Sequence, residues 1–331
     1  MESLILPKRG LPVTIITGFL GSGKTTLLNH ILTNNQDLKV AILVNEFGDI
    51  DIDSQLLIST DDNMLSLSNG CICCTINDDL IDTVFQVLES DKKIDYLIVE
   101  TTGVADPLPI ILTFLSPELR DLVRLDSVLT LIDAENFTSE HFESDAALKQ
   151  VIFGDIILLN KVDLVTEDKI KELEKDIYCI KQGANILHTE YGKVPLPLIL
   201  DIDVSKPTNY PSESVTNSHD HHHHHHDHHH SNHLEIDGFM SISFECNCPF
   251  NVDKFQNLII DNIMNQVFRA KGILWFAESK LKHIFQLSGK RYDIDTQEWE
   301  NNPKNQLIMI GRNLDENKLK TKLKECLVSE S

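Results

Sequence analysis

The stretch from Val13 to Thr26 limits what the rest of the chain can be. Val13-Thr14-Ile15-Ile16-Thr17 is a β-branched apolar run of the kind that forms a buried strand. It feeds Gly18-Phe19-Leu20-Gly21-Ser22-Gly23-Lys24-Thr25-Thr26, and Leu27–Leu32 continues with helical character. Strand, glycine loop and helix together make a phosphate cradle. Gly18, Gly21 and Gly23 let the backbone close until its N–H groups converge on an anion. The helix beginning near Lys24 adds the positive end of its dipole. Lys24 is expected on the β- and γ-phosphates of a nucleoside triphosphate and the Thr25 hydroxyl on Mg²⁺, with Ser22 and Thr26 in the same binding loop. An ordinary turn does not require the full G-x-x-x-x-G-K-T pattern, so the expectation is nucleotide binding.

A chain of 331 residues is long enough for about two domains, and at 41% apolar residues it can bury a core. No apolar run is long enough to span a bilayer and the N-terminus lacks a secretory pattern, so a soluble, cytoplasmic protein with no membrane partner is expected. The formal charge of −22 argues against nucleic acid, which needs a basic face, and suits a protein that attracts cations. The plainer meaning of that acidity is solubility. Of the seven cysteines, Cys71, Cys73 and Cys74 crowd into four positions, too close to pair comfortably with one another. Such a cluster reads as metal ligands or redox thiols.

Lys39–Val44 reads as a second buried strand and runs into Asn45–Asp53, whose four carboxylates include Glu46. That loop either helps to hold a metal or is a solvated face. After a short strand at Met64–Leu67, an extended Cys71-Ile72-Cys73 would put both thiols on one face, with Cys74 brought round by a bend. Three thiolates favour Zn²⁺, Co²⁺ or Cu⁺ over Mg²⁺; three buried cysteines acting as small hydrophobes is the competing reading. Asp79–Ser90 is patterned as an amphipathic helix and Asp95–Val99 as a strand ending in Glu100-Thr101-Thr102-Gly103. Behind a phosphate loop, this matches a carboxylate that meets Mg²⁺ or its waters (Glu100) and a backbone N–H that senses the γ-phosphate (Gly103).

Ser127–Ile132 and Asp155–Leu159 are further buried strands, the second followed by Asn160-Lys161-Val162-Asp163. An N-K-x-D after a strand reads guanine: the Asp163 carboxylate accepts from the base's N1–H and exocyclic amine, while Asn160 and Lys161 brace the loop and cover the ring. The expected nucleotide is therefore GTP. Helix Glu167–Ile180 and a strand near Ala184–Thr189 follow. From Asp203 the composition shifts to Ser, Pro, Thr and Asn, and eleven of the fifteen residues from His219 to His233 are histidine. Such a run cannot form a core, binds transition metals weakly and marks a disordered linker. Beyond it, strands at Gly238–Glu245, Ile273–Ala277, His283–Leu287 and Leu307–Ile310, with helices at Val252–Met264 and Leu314–Leu327, make a small α+β domain. For Cys246 and Cys248, packing and metal binding are comparable readings.

With these residues in hand, the chain resembles the CobW-type family of metal-handling P-loop GTPases, which includes nitrile hydratase activators and zinc-regulated metalloprotein activators. The likeness rests on Gly18–Thr26, Val44–Asp53, Gly70–Cys74, Glu100–Pro107 and Asn160–Asp163, and in the second domain on Arg269–Trp275, Ser288–Arg291 and Ile310–Arg312. It implies an α/β fold, with a mainly parallel P-loop domain over 1–203, a linker over 204–235 and a smaller C-terminal domain over 236–331. It implies slow GTP hydrolysis coupled to holding Zn²⁺ or Co²⁺ and delivering it to a client metalloprotein, with Cys71, Cys73 and Cys74 as ligands and Glu46 as a supplementary one. Asp51 stands where relatives often have Gly. The N-terminus lacks the Cys-Pro-x-Leu-Val-Pro docking motif of the eukaryotic zinc activators, which argues against a methionine aminopeptidase client. A homodimer is one assembly the reading allows. The rivals are a passive metal buffer built on the histidine run, a nickel-inserting accessory GTPase, and a P-loop kinase, which would need neither N-K-x-D nor clustered thiols.

Overall fold

The computed structural model describes residues 10–34, 38–44, 64–68, 76–90, 93–201, 239–259, 263 and 266–328. Its first unit is a seven-stranded parallel sheet formed by β1 (Leu11–Gly18), β2 (Val40–Val44), β3 (Met64–Ser68), β4 (Tyr96–Glu100), β5 (Val123–Asp133), β6 (Ile156–Asn160) and β7 (Asn185–Thr189). The strands lie in the order β3-β2-β4-β1-β5-β6-β7. Every residue of β1 is buried, because helices cover both faces of the sheet; the run is therefore mostly apolar on both faces, broken only by the buried Thr14 and Thr17. On one face Ile16 packs with Leu27, Leu28 and Ile31 of α1 (Lys24–Asn34). On the other, Val13 and Ile15 pack with Val84 of α2 (Ile76–Glu89) and Phe114 of α3 (Leu108–Phe114). Farther along that sheet, α4 (Asp145–Phe153) and α5 (Glu167–Ile180) set Val151, Leu173 and Ile177 against Ile157 and Leu159 of β6.

The second unit is an antiparallel sheet in the order β11-β10-β9-β12-β8, from β8 (Phe239–Cys246), β9 (Val267–Leu274), β10 (Lys282–Ser288), β11 (Arg291–Gln297) and β12 (Asn305–Arg312). One face carries a phenylalanine-rich core, in which Phe250 stacks on Phe244 and Phe255, while Leu319 and Leu323 of the helix Glu316–Glu325 join the same cluster. The opposite face meets the first unit: Phe239, Phe268 and Ile310 belong to the apolar cluster of β1 and α1.

The α/β expectation agrees with this architecture in its parallel first sheet and its smaller second one. Particular elements differ. The strand expected at Ile273–Ala277 lies at Val267–Leu274, because Arg269 and Lys271, which break the apolar pattern, point at carboxylates of the first unit. The helix expected over Val252–Met264 is described from Val252 to Leu258. Helices Leu108–Phe114 and Asp145–Phe153 and strand Arg291–Gln297 were not anticipated. The histidine-rich run, and the boundaries placed around it, lie outside the described residues. Among those described, no helix is long and apolar enough to cross a membrane.

Candidate nucleotide site

In a parallel sheet the carboxyl ends of all strands open on one edge, where ligands of such folds collect. At this edge β1 passes into the glycine loop, and α1 begins at Lys24. Gly18, Gly21 and Gly23 adopt φ of 142°, 73° and 101°, a range that side chains disfavour. At Gly23 space forbids one as well: a Cβ there would stand 2.4 Å from Asn160 Nδ2. The Lys24 ammonium donates to the carbonyls of Gly18 at 3.0 Å and Phe19 at 3.3 Å, so it sits over the loop it is expected to serve. The buried Ser22 hydroxyl has no hydrogen-bond partner among the described residues, and Thr25 stands at the helix start. Backbone N–H groups at a helix N-terminus, an ammonium and hydroxyls form a donor set suited to phosphate.

Glu100 ends β4 and is 2% exposed. In register it lies beside Ile16 of β1 and Val44 of β2, and Val44 in turn pairs with Ser68. The next residue is tied to the phosphate-loop strand twice, through Thr101 N–H to the Ile16 carbonyl and Thr101 Oγ1 to Thr17 Oγ1, both at 2.9 Å. Gly103 then packs against the loop itself, since a Cβ there would come within 2.7 Å of the Leu20 nitrogen. Carboxylate and hydroxyl oxygens at Glu100 and Thr25 are the hard ligands that Mg²⁺ prefers.

Asn160 ends β6 and is 1% exposed. Its amide donates to the Ser22 carbonyl at 2.9 Å, and its carbonyl accepts from Thr189 Oγ1 at 3.1 Å and Gly192 N–H at 3.0 Å. It therefore ties the phosphate loop to the loop beyond β7. Lys161 adopts a left-handed backbone at φ 63° and places its ammonium 2.6 Å from Asp133 Oδ2. Burial opposes the charge of Asp133, but hydrogen bonds from Asn136 and Lys161 outweigh it and hold its carboxyl below the usual value. Asp163 stands exposed on the short turn Val162–Leu164, where an incoming base can reach it.

The structure thus brings Gly18, Gly21, Ser22, Gly23, Lys24, Thr25, Thr26, Glu100, Gly103, Asn160, Lys161 and Asp163 to one edge of one sheet. Cys71, Cys73, Cys74 and Glu46 lie outside the described residues, and those described contain no cluster of three or more metal-ligating side chains. Cys246 packs against the core of the second unit, and the Cys248 backbone carbonyl accepts from Asn305. Two contributors escaped sequence reasoning. The buried Gln150 amide, on α4, donates to the carbonyls of Gly103 at 3.2 Å and Ala105 at 3.1 Å and so steadies the loop after β4. Asp133, which orients Lys161, ends β5 directly opposite Asn160. A strand-ending Asp was the available signal for the second; the first had none.

A model of the CobW/HypB/UreG nucleotide-binding domain matches residues 12–188, and one of the cobalamin synthesis protein cobW C-terminal domain matches 239–327. The zinc-regulated GTPase metalloprotein activator 1 of Dictyostelium discoideum is 32% identical, over 86% of this chain and 67% of its own length. The zinc chaperone YjiA of Escherichia coli is also 32% identical, over 94% of this chain and 96% of its own. A crystal structure of Zn(II)-bound YjiA GTPase aligns over 97% of this chain and all of that one, at 26% identity and a TM-score of 0.47.

Proposed function

The chain belongs to the CobW/HypB/UreG family, as a metal-handling P-loop GTPase, and we propose that it grips Zn²⁺ or Co²⁺ through Cys71, Cys73 and Cys74 when GTP is bound and passes the ion to a client metalloprotein. The observation that carries this reading is the register row Ser68–Val44–Glu100–Ile16. Neighbouring strands lie about 4.8 Å apart. The segment holding the three cysteines follows Ser68, and the acidic segment holding Glu46 follows Val44. Both therefore leave the sheet at the edge where Glu100 and the phosphate loop stand.

In this reading the glycine loop and Lys24 hold the β- and γ-phosphates, and Asp163 accepts the guanine N1–H and amine while Asn160 and Lys161 brace its loop. Thr25 and Glu100 would hold Mg²⁺, which neutralises phosphate charge. The Gly103 N–H meets the γ-phosphate, and Gln150 keeps that loop in reach. Attack of water on the γ-phosphorus breaks its bond to the β,γ-bridging oxygen, giving GDP and phosphate. The loop then loses its partner and relaxes, which lowers the hold on the cargo ion. No arginine placed to stabilise the transferring phosphoryl group is identifiable in the sequence, so intrinsic turnover is slow and the metal or the client accelerates it.

Titrating Zn²⁺ and Co²⁺ into protein loaded with a non-hydrolysable GTP analogue or with GDP tests the switch. Tighter binding in the GTP-like state is expected; equal affinity ends the proposal, because a ligand that does not distinguish two states cannot shift them. In the triple variant Cys71→Ser, Cys73→Ser, Cys74→Ser, metal stimulation of hydrolysis vanishes while nucleotide affinity survives. The histidine run supports a second reading, a passive metal buffer. Deleting residues 218–233 separates the two: a buffer loses nearly all tight binding, whereas the switch keeps one site.

A further inference from the structure

The loop after β7 carries a tyrosine that neither the core nor the phosphate chemistry explains. In register Asn160 of β6 lies beside Thr189 of β7, so the segments Lys161–Asp163 and Glu190–Gly192 leave the sheet side by side. The second segment is held at every step. Thr189 Oγ1 and the Gly192 N–H both donate to Asn160 Oδ1. The Lys193 N–H donates to the Glu190 carbonyl at 2.9 Å and closes a turn on Tyr191 and Gly192. Gly192 lies against the backbone of Leu27 in α1, where a Cβ would stand at 3.0 Å. Beyond it the Val194 carbonyl is 2.9 Å from Nε2 of His30, also on α1.

The turn puts Tyr191 at φ 53° and Gly192 at φ 65°. Two positive φ values in succession suit Asn-Gly or Gly-Gly, and a bulky side chain in the first place is costly. Among the described residues, the non-glycine ones at positive φ are Lys161, Tyr191 and Asn313. Asparagine tolerates that conformation through its short polar side chain. The other two stand just past the ends of neighbouring strands, where the base-reading segment begins. Such strain persists where the surrounding structure imposes it, and it gathers at ligand sites. Tyr191 is also 66% exposed, more than any other large apolar side chain described. It has no ring, ionic or hydrogen-bond partner among the described residues. A pinned loop thus presents a bare aromatic ring, which gains most when another flat surface covers it.

We propose that Tyr191 is the aromatic platform of the base site, its ring lying against the face of the guanine whose edge Asp163 reads. This inference rests on the GTP-binding reading of the site and adds to it the residue that holds the face of the base. Edge and face then do different work. Hydrogen bonds to Asp163 choose guanine, whereas a stacked ring supplies affinity without choosing, because every base has a π-face. Since the loop is already tied to Asn160 and α1, the ring loses little further freedom when the base arrives.

The test is calorimetric titration of GDP with Mg²⁺ into the full-length wild type and its Tyr191→Asn and Tyr191→Phe variants, with ADP titrated into the wild type alongside. Asparagine is the residue this backbone favours, so Tyr191→Asn keeps or raises the melting temperature of the nucleotide-free protein. It weakens GDP binding about tenfold, within the range for a base stacked on an aromatic side chain. Tyr191→Phe retains the ring and binds within about twofold of the wild type. Single-turnover hydrolysis at saturating GTP is unchanged in Tyr191→Asn, since base and γ-phosphate lie at opposite ends of the nucleotide. Undiminished GDP affinity in Tyr191→Asn, an equal loss in Tyr191→Phe, or a loss accompanied by a lowered melting temperature overturns the platform while leaving the guanine site standing. A wild type that prefers ADP to GDP instead removes the guanine reading, and this inference with it.

Discussion

Replacing Asn160 by alanine tests how the phosphate and base loops are joined. The side chain is 1% exposed and makes three hydrogen bonds, to the Ser22 carbonyl, the Gly192 N–H and Thr189 Oγ1. Thr189 can turn its hydroxyl elsewhere, but the two backbone groups cannot move without moving their loops. Leaving a buried polar group unsatisfied costs about 1–3 kcal/mol, so the variant is expected to lose about 3 kcal/mol. For a protein of this size that lowers the melting temperature by about 4 °C. GDP affinity, read by fluorescence of a labelled nucleotide, falls with it because both loops lose their common tie. The Asn160→Asp variant sharpens the test: one carboxylate oxygen still accepts from Gly192, but the other faces the Ser22 carbonyl, so nucleotide binding suffers at least as much. A cycle with Gly23→Ala completes it. The added Cβ would lie 2.4 Å from Asn160 Nδ2, so Gly23→Ala is less harmful in the Asn160→Ala background than in the wild type; the residual cost reflects its φ of 101°. A melting shift under about 2 °C with unchanged GDP affinity would refute the idea that Asn160 couples the loops.

Three further outcomes are expected. Gln150→Leu removes the donor to Gly103 and Ala105, so single-turnover GTP hydrolysis slows by about tenfold while GDP affinity holds; an unaltered rate rules out this support of the loop. Burial raises the Asp155 carboxyl to about 6, against the pull of Arg291, from an unfolded value of 3.8. A raised acid stabilises the fold at low pH and loses that effect as pH climbs through 6, so the wild type sheds about 1.4 kcal/mol between pH 5 and 7.5 relative to Asp155→Asn; parallel denaturation curves across that range would exclude it. Arg269→Met leaves the buried Asp126 carboxylate with Arg124, at 3.5 Å, as its remaining ion-pair partner and costs about 3 kcal/mol by urea unfolding, and adding Asp126→Leu recovers part of the loss; a double variant no better than the single one contradicts this account of the interface.

The chemistry written in adjacent residues was legible without coordinates. Gly18 to Thr26 needs only its own backbone and the start of a helix to make an anion cradle, and the strands of a sheet covered on both faces announce themselves as mostly apolar runs. The order of motifs along the chain also held, because β1, β4 and β6 each end at the same edge. The strand at Val267–Leu274 was misplaced for the converse reason: its charged residues have partners that lie far away in sequence.

What tertiary structure alone decided is everything that depends on two distant segments meeting. Gln150 resembles any helical glutamine until the loop after β4 comes to rest against it, 47 positions away. Arg269 resembles a surface charge until β5 places Asp126 opposite, across 143 residues of chain. Local propensity and pattern act over a few neighbouring residues and so can be read in order, whereas the pairing of buried polar groups is settled by which strands become neighbours when the sheets close.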